Sequence, residues 1–228
     1  MPGTPAISLK RAARLKTKKH REAERLFLAE GTAILEEAPT VPLQVFHEAE
    51  QLRRVSTLTT PAGAVGVFPF LDVTATALLS SVQHVVLLHG VQDPGNVGTA
   101  IRSAHAFGGG VAISSGSADL YNPKTVRATT GSIFHTPVAR DLQSVEFLAE
   151  AGGAGFGLVA AVPEAGEMPE SLPRGKLVIC IGAEGPGLPE EVVRACEIRV
   201  CIPSLAPSLN ASVAASILFY EAYSRVLT

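Results

Sequence analysis

Three loops of this sequence combine glycine with polar side chains in patterns that could do chemistry. The first, HGVQDPGNVG at residues 89–98, joins an apolar run to a helical pattern. We expect Asn96 to cap this helix. Arg102 lies off the apolar stripe of the helix, near the predicted ligand-binding edge of a sheet. On periodicity alone, an ordinary capped helix with an exposed arginine explains this segment as well as a functional site does.

The second loop, IGAEGPGL at residues 181–188, follows an apolar run and is rich in glycine. Glycine lets the backbone approach a ligand closely and permits positive φ angles. The spacing is neither G-x-G-x-x-G nor that of a P-loop with its Lys-Ser/Thr pair. Glu184 in the middle of the loop would repel phosphates. The loop therefore predicts a cationic or hydroxyl-bearing ligand rather than a nucleotide phosphate.

The third loop leads into the most apolar helical pattern of the chain. In IPSLAPSLNASVAAS, residues 202–216, the helix begins near Leu209, and either Ser208 or Asn210 can cap it. Because residues 209–226 are apolar nearly all round, we expect this helix to be buried. The polar residues at its start, which include Ser212, then need partners from the backbone, a ligand or another subunit.

The C-terminal two thirds of the chain alternate between apolar runs and helical patterns. The predicted strands are residues 83–88, 110–114, 133–139, 156–162, 176–181 and 198–202. The predicted helices are residues 96–107, 123–129, 142–151, 189–195 and 209–226. This alternation predicts an α/β fold with a parallel sheet that is covered on both faces. Ligands bind at the carboxyl ends of such strands, where all three loops begin.

The N-terminal part predicts a smaller α/β unit that ends near Asp72. A basic helical pattern leads through a short linker to a strand at residues 26–29, and LQVF and TTPAGAVGVF predict two further strands. Residues 1–25 hold eight Lys and Arg against two acidic residues, whereas the whole chain has a net charge of −2. A basic segment on an acidic body is typical of nucleic-acid contact, although a solvated terminus has the same composition.

Composition excludes several classes of protein. No apolar run approaches the ~20 residues of a membrane span, and the basic N-terminus is not followed by the apolar core of a signal peptide. Cys180, Cys196 and Cys201 lack C-x-x-C spacing, so we expect neither a disulfide framework nor a zinc site, and a cytoplasmic location. His89, His105 and His135 match no ligand motif, and we expect no metal.

Taken together and in this order, the loops resemble the motifs of the SpoU/TrmH family of RNA ribose 2′-O-methyltransferases, part of the SPOUT superfamily. GVQDPGNVGTAIRSAHAFG resembles the first motif, IGAEGPGL the second and IPSLAPSLNASVAAS the third, while NPKTVRATTGSIFHTPV is similar to the intervening segment. The resemblance implies an α/β catalytic domain with a parallel-sheet trefoil knot at residues 82–228. Residues 1–75 are similar to an L30e-like RNA substrate-binding domain.

The resemblance also implies a cofactor, S-adenosylmethionine, and a homodimer with the cofactor pocket beside the interface. It implies a catalytic set of Asn96, Arg102, Glu184, Ser208 and Asn210. It implies cofactor contacts from Ile181, Gly182, Ala183, Gly185, Gly187, Ile202 and Leu209. The candidate RNA contacts are Lys10, Arg11, Arg14, Lys16, Lys18, Lys19, Arg21, Lys124 and Arg127. The third loop is shorter than is usual in the family and has no glycine between Pro203 and Ser208, which could reshape the cofactor pocket.

The family proposal makes the arginine a general base, which is demanding for a side chain whose pKa exceeds about 12. Our hypothesis is that Arg102 binds the phosphate of the target nucleotide and polarises its 2′-hydroxyl, with Asn96 orienting Arg102. The L30e-like part favours ribosomal RNA of the 23S type over transfer RNA as substrate. A non-catalytic RNA-binding protein on the same fold is the alternative. A nicotinamide-dependent oxidoreductase is excluded because the G-x-G-x-x-G fingerprint is missing.

Overall fold

The structure is a computed structural model that describes residues 7–227. Residues 1–6 and Thr228, at the outer ends of the two predicted units, lie outside the described residues. The N-terminal unit has strands β1 (Leu26–Glu30), β2 (Gln44–Phe46) and β3 (Val65–Pro69). They form an antiparallel sheet in the order β1-β3-β2. Its helices are α1 (Leu9–Arg14), α2 (Lys18–Glu24), α3 (Thr32–Glu36) and α4 (Ala49–Val55). The predicted basic helix is therefore two helices.

The C-terminal unit is built on six strands. They are β4 (His84–Leu88), β5 (Gly110–Ser114), β6 (Val138–Leu142), β7 (Gly157–Ala161), β8 (Leu177–Ile181) and β9 (Ile198–Val200). Their order is β6-β5-β4-β8-β7-β9, and every pairing is parallel. All residues of β4, β5 and β8 are buried, as expected of a sheet covered on both faces. The predicted α/β class with a parallel sheet is confirmed.

Within the described part of the chain, six α-helices accompany this sheet. They are α5 (Ala75–Ser81), α6 (Pro94–Ala106), α7 (Pro123–Ala128), α8 (Ser144–Gly153), α9 (Glu190–Arg194) and α10 (Ala211–Leu227). Helix α6 buries Val97, Ala100, Ile101 and Ala104, as its periodicity predicts. No helix within residues 7–227 is long and apolar enough to cross a membrane.

Two local predictions are wrong. Asp93 caps α6 instead of Asn96, because its Oδ1 accepts hydrogen bonds from the amides of Gly95 and Asn96 at 2.6 and 3.2 Å. Pro94 fits the first helical position because its φ is preset for a helix. The strand predicted at residues 133–139 begins only at Val138. Residues 132–134 form a 3₁₀ turn, so the apolar residues there belong to the core without being in a strand.

The last helix confirms one of its two predicted caps, Asn210, and within one chain it is not buried on all sides. Helix α10 begins at Ala211, and Asn210 caps it by accepting hydrogen bonds from the amides of Ser212 and Val213 at 3.0 and 3.3 Å. Only one face of α10 is buried within this chain. The apolar residues exposed on it are Val213, Ile217, Tyr220 and Val226.

The two units share one hydrophobic core and a polar contact around Tyr121. The ring of Tyr121 stacks on Phe70 at 3.8 Å between centroids and packs against Phe27 of β1. Its hydroxyl accepts hydrogen bonds from the amides of Leu71 and Asp72 at 2.6 and 2.7 Å, and donates one to the Asp72 carboxylate at 2.6 Å. This contact fixes the segment that joins the two sheets.

Charges around Asp72 strengthen the same contact. Burial alone would raise the pKa of Asp72, but the Tyr121 hydrogen bond and the cations of Arg140 and Arg25 outweigh burial and lower it. Because the pKa in the folded state lies below that of the unfolded chain, this contribution to stability is present near neutral pH. It is lost as the pH falls through the pKa of folded Asp72.

Replacing Tyr121 with phenylalanine is expected to lower the free energy of unfolding by about 1–3 kcal/mol, because the Asp72 carboxylate and two amides each lose a partner. Urea denaturation at pH 7 measures this loss. The difference in free energy of unfolding between variant and wild type should become smaller below pH 4, where Asp72 takes up a proton. Tyr223→Phe is the control, since the Tyr223 hydroxyl has no hydrogen-bond partner within residues 7–227. Equal losses in the two variants would contradict the prediction.

Candidate active site

The sequence-predicted loops meet at one edge of the parallel sheet. Strands β4 and β8 are neighbours, so the loops that follow them lie side by side at the carboxyl edge. Helix α10 packs against α6, β8 and β4, which brings its N-terminus to the same edge. Parallel strands all end on this side, and this geometry makes it the ligand-binding edge.

A compact polar cluster joins these loops. Glu184 Oε1 accepts hydrogen bonds from Asn96 Nδ2 and Asn210 Nδ2, both at 2.7 Å. Asn210 Nδ2 also lies 3.0 Å from Asn96 Oδ1. The hydroxyl of Ser212 lies 2.7 Å from Asn210 Oδ1 and 3.2 Å from Asn96 Oδ1. One carboxylate thus holds two amide side chains from separate elements in a defined orientation.

The cluster combines capping with positioning. Because Asn210 caps α10 through its oxygen, its amide nitrogen is free to reach Glu184 and Asn96. Because Asp93 rather than Asn96 caps α6, the Asn96 side chain is available to the cluster. A further pair of hydroxyls, Ser103 and Ser216 at 2.6 Å, joins α6 to α10 beside it. These polar contacts join the two helices at the site, in addition to the apolar side chains that both helices contribute to one core.

A cavity of about 530 Å³ lies next to the cluster. All seven predicted cofactor residues line it, together with Glu184 and Ser208. Its size is in the range of small-molecule sites. The carboxylates of Glu164 and Glu184 give it a negative wall, which suits a ligand with a positive charge.

The glycines of the second loop shape this cavity in two ways. A Cβ on Gly182 would come closer than 3.0 Å to backbone atoms of Gly187 and Leu188, so the loop folds tightly back on itself. Gly185 and Gly187 have φ angles of +88° and +69°, which favour glycine. A Cβ at either position would meet no atom within 4 Å. The loop therefore presents open backbone to the cavity, as a cradle for an extended ligand requires.

Sequence reasoning missed two parts of this site. Ser212 belongs to the polar cluster, although only its need for a partner was predicted. Residues 162–165, which follow β7, form another wall of the cavity. The rule that identified the other loops would have identified this segment too, because β7 lies beside β8 and ends at the same edge.

Two members of the predicted catalytic set do not join the cluster. Arg102 is exposed on α6 and has no hydrogen-bond or ion-pair partner within residues 7–227. It follows Asn96 by six positions and therefore lies on another side of the helix. Ser208 is exposed at the cavity wall and likewise has no side-chain hydrogen bond in the described part of the chain.

The predicted RNA contacts divide into exposed and structural residues. Lys10, Arg14, Lys18, Lys19 and Lys124 are exposed and Lys16 is half-buried. Arg11 is paired with Glu24, and Lys124 with Asp93. Arg127 is half-buried between Thr57 and Glu30.

The prediction that Arg21 contacts RNA is wrong. Its side chain is 3% exposed, donates to the carbonyls of Leu15 and Lys16, and forms an ion pair with Asp119 at 2.5 Å. A buried cation needs such partners, and these leave Arg21 no surface for a nucleic acid. Its role is to hold α2 against the C-terminal unit.

The histidines have local partners. His89 Nδ1 lies 2.8 Å from the Ser144 hydroxyl, and His105 stacks on His135 at 4.8 Å between ring centroids. Within residues 7–227, no group of three or more His, Cys, Asp or Glu side chains is placed to hold a metal ion.

The parallel sheet and the three loops at its carboxyl edge define an α/β domain with a ligand site at the ends of its strands. The family model described as SpoU rRNA Methylase matches residues 83–220, which is more than half of the chain. The chain belongs to this family. It is an S-adenosylmethionine-dependent RNA 2′-O-methyltransferase.

Individual relatives agree with this assignment. The 23S rRNA (guanosine(2553)-2′-O)-methyltransferase RlmP of Bacillus subtilis is 32% identical over 231 residues, covering 91% of this chain and 92% of its own length. The AdoMet-bound rRNA methyltransferase of Sinorhizobium meliloti has a TM-score of 0.86 at 27% identity, covering 96% of this chain and 95% of its own. AviRb of Streptomyces viridochromogenes shares the fold, with a TM-score of 0.82 at 23% identity over 96% of this chain and 98% of its own.

Proposed function

We propose that this protein methylates a ribose 2′-hydroxyl of 23S ribosomal RNA in the cytoplasm, without a metal ion. The Bacillus subtilis relative, which is similar along nearly the whole chain, supports the choice of RNA. The structural observation that carries the proposal is the cluster of Glu184, Asn96 and Asn210, because it lies between two cavities. The second cavity, of about 240 Å³, shares Ala183 and Glu184 with the first and is also lined by Asn96.

The two cavities have different tasks in this proposal. Residues 181–187, Ile202 and Leu209 hold the cofactor in the larger cavity, and its sulfonium supplies an activated methyl group. The smaller cavity, formed by residues 90–93 with Asn96, receives the target nucleotide. Glu184 contributes to both walls and fixes the amide of Asn96 between them. Holding both reactants in line supplies much of the acceleration.

Arg102 acts on the acceptor. Its guanidinium stays charged at any accessible pH. In our proposal it binds a phosphate of the target nucleotide and polarises the 2′-hydroxyl, reaching the nucleotide from another side of α6 than Asn96, which stays bound to Glu184. The hydroxyl proton passes to water as the methyl group is transferred. Ser208, exposed at the wall of the larger cavity, contacts the reactants without being part of the cluster.

Transfer of labelled methyl groups tests this function. Purified protein is incubated with labelled S-adenosylmethionine and with 23S rRNA, 16S rRNA or transfer RNA that lacks modifications, with and without EDTA. We expect label at one ribose of 23S rRNA, unchanged by EDTA. Label in transfer RNA alone would overturn the choice of RNA. Absence of cofactor binding at millimolar concentration would support the non-catalytic alternative.

The N-terminal unit is proposed to be an L30e-like domain that binds RNA through its exposed lysines. Replacing Lys18 and Lys19 by alanine is expected to weaken RNA binding and to reduce the slope of log affinity against log salt by roughly 0.7–0.9 per removed charge. Filter binding at several salt concentrations measures this slope. Arg194→Ala is the control, because Arg194 is exposed on α9 and pairs with Glu190. An unchanged slope for the lysine variant would exclude this surface.

The exposed apolar face of α10 is proposed to be the interface of a homodimer. Val213, Ile217 and Tyr220 lie at i, i+4 and i+7, on one face of the helix, and they are 45%, 37% and 57% exposed. An apolar helical face of this kind is typical of an interaction site. The apolar face begins close to Asn210, at the N-terminal end of α10. The dimer interface would therefore adjoin the active site, as the family resemblance implies.

Replacing Ile217 with arginine is expected to convert the dimer to a monomer, because a charge would be buried without a partner. Sedimentation velocity measures the mass of the particle in solution. Val145→Arg is the matched control, since Val145 is 44% exposed on α8, away from this face. A wild-type protein that sediments as a monomer would overturn the proposal directly.

A further inference from the structure

The proposed reaction uses no thiol, yet two of the three cysteines are in contact. Cys180 is fully buried in β8, and Cys196 is half-buried just after α9. Their sulfur atoms are 3.6 Å apart, although the residues are 16 positions apart in the chain. Both thiols are free. Cys201 lies apart from this pair, at the wall of the larger cavity, 3.1 Å from the carbonyl of Pro163.

The two thiols differ in character. The hydrogen bond from Cys180 lowers the pKa of Cys196 below its ordinary value, against burial and the Glu197 carboxylate, which raise it. The same hydrogen bond, together with burial, raises the pKa of Cys180. A thiolate with some exposure is the sulfur that reacts with a small oxidant. Cys196 is therefore the attacking sulfur and Cys180 the resolving one.

We propose that Cys180 and Cys196 form a reversible disulfide on reaction with a hydroperoxide such as hydrogen peroxide. The Cys196 thiol releases its proton to solvent, and the thiolate attacks one peroxide oxygen. The O–O bond breaks to give a sulfenic acid and hydroxide, which combines with the released proton to form water. The Cys180 sulfur then attacks the sulfenic sulfur, an S–S bond forms and the S–O bond breaks. The leaving hydroxyl departs as water with the Cys180 proton. Two thiols are oxidised and one peroxide is reduced to two waters.

The position of this pair connects it to the cofactor. Between Cys180 and Cys196 lie the glycine-rich loop that lines the larger cavity and then α9. An S–S bond measures about 2.05 Å, so the sulfurs must approach each other by roughly 1.5 Å. Strand β8 is paired on both sides, and the movement therefore falls on the segment of Cys196.

This movement would be transmitted to the loop. Leu188 directly follows Gly187. Leu188 and Cys196 both pack against the core cluster that contains Cys180 and Val192. A displacement at Cys196 would pass through this cluster to Leu188. At Gly182 the loop lies directly against Gly187 and Leu188, so a shift of Leu188 would move that wall of the larger cavity. We expect the oxidised protein to bind S-adenosylmethionine more weakly than the reduced protein.

The experiment treats the full-length protein with hydrogen peroxide, unfolds it and alkylates the remaining thiols. Peptide mass spectrometry should find a Cys180–Cys196 linkage, with a loss of about 2 Da, and an alkylated Cys201. Titration calorimetry should find a roughly threefold or larger rise in the Kd for S-adenosylmethionine, reversed by dithiothreitol. The linkage is measured without RNA, so a wrong choice of RNA leaves this result intact.

Cys196→Ser and Cys196→Ala are the control variants, because Cys196 is only half-buried, whereas a change at Cys180 would disturb the core. In both variants peroxide should produce neither the linkage nor the change in Kd. Complete alkylation of Cys180 and Cys196 after peroxide, or a sulfinic acid at Cys196, would overturn the proposed disulfide. A linked protein whose Kd for the cofactor is unchanged would overturn the connection to the cavity.

Discussion

Replacing Arg102 with alanine is expected to lower kcat for methyl transfer by roughly 100-fold or more, the usual effect of losing one group that stabilises a transition state. Arg102 is exposed, and no ion pair or hydrogen bond within the described residues uses its charge. Its removal should therefore not destabilise the fold. It also lies outside the residues that line the larger cavity. The Kd for S-adenosylmethionine should stay within about twofold of wild type.

Single-turnover methyl transfer and cofactor titration on the same preparations measure both quantities. A loss of kcat with an unchanged cofactor Kd fits a role on the RNA side, whereas parallel loss of both would contradict our assignment. The pH profile of Arg102→Lys separates the two chemical roles. A general base must lose its proton to act, so near-normal activity that rises with pH at a lower pH than in wild type would favour that role. A fall of activity at alkaline pH would favour the charged role, because a lysine loses its charge at a lower pH than an arginine.

The fold class was predictable because the strands of a covered parallel sheet must be apolar throughout. β4, β5 and β8 are buried along their whole length, and their runs in the sequence are continuous. The lining of the cavity was predictable for a related reason. Loops at the carboxyl ends of parallel strands lie along one edge of the sheet. Gly182 after β8 and Leu209 after β9 therefore line the same cavity, although β7 lies between the two strands.

What could not be predicted depended on partners far away in the chain. Arg21 is charged and stands in a basic segment, and only the fold brings Asp119, 98 positions away, to its guanidinium. The contact between Cys180 and Cys196 likewise depends on the fold, which places the segment after α9 beside β8. The two cysteines are 16 positions apart and lack the C-x-x-C spacing that would have predicted their contact. Asn96 was misread for a local reason, since Asp93 offers the same capping chemistry and precedes a proline.

The apolar character of α10 shows a different limit. Periodicity predicted that the helix is buried, and within one chain Val213 and Ile217 remain exposed. A sequence pattern reports the total burial that a helix requires, whether by its own chain or by a partner. The difference between the burial predicted for α10 and its burial within one chain is therefore informative, and this difference motivates the dimer proposal.

Replacing Gly182 with alanine is expected to weaken binding of S-adenosylmethionine by roughly 5- to 150-fold, since overpacking costs typically about 1–3 kcal/mol. The new methyl group would lie closer than 3.0 Å to the carbonyl carbon and oxygen of Gly187 and to the amide nitrogen of Leu188. These are backbone atoms, which cannot rotate away as a side chain can. The loop must open, and the wall that it forms along the larger cavity must move with it.

Two matched variants separate this clash from the general effect of losing a glycine. Gly185→Ala places a methyl group where no atom lies within 4 Å, so it causes no clash. Because φ at this position is +88°, alanine adds only backbone strain of about 1–2 kcal/mol. Gly152→Ala, on α8, meets only Leu158 at 3.7 Å and should leave the Kd unchanged. Calorimetry should therefore rank the losses of affinity as Gly182 above Gly185 above Gly152. If Gly182→Ala bound the cofactor as tightly as Gly152→Ala, the loop could not be the rigid wall that the proposed site requires.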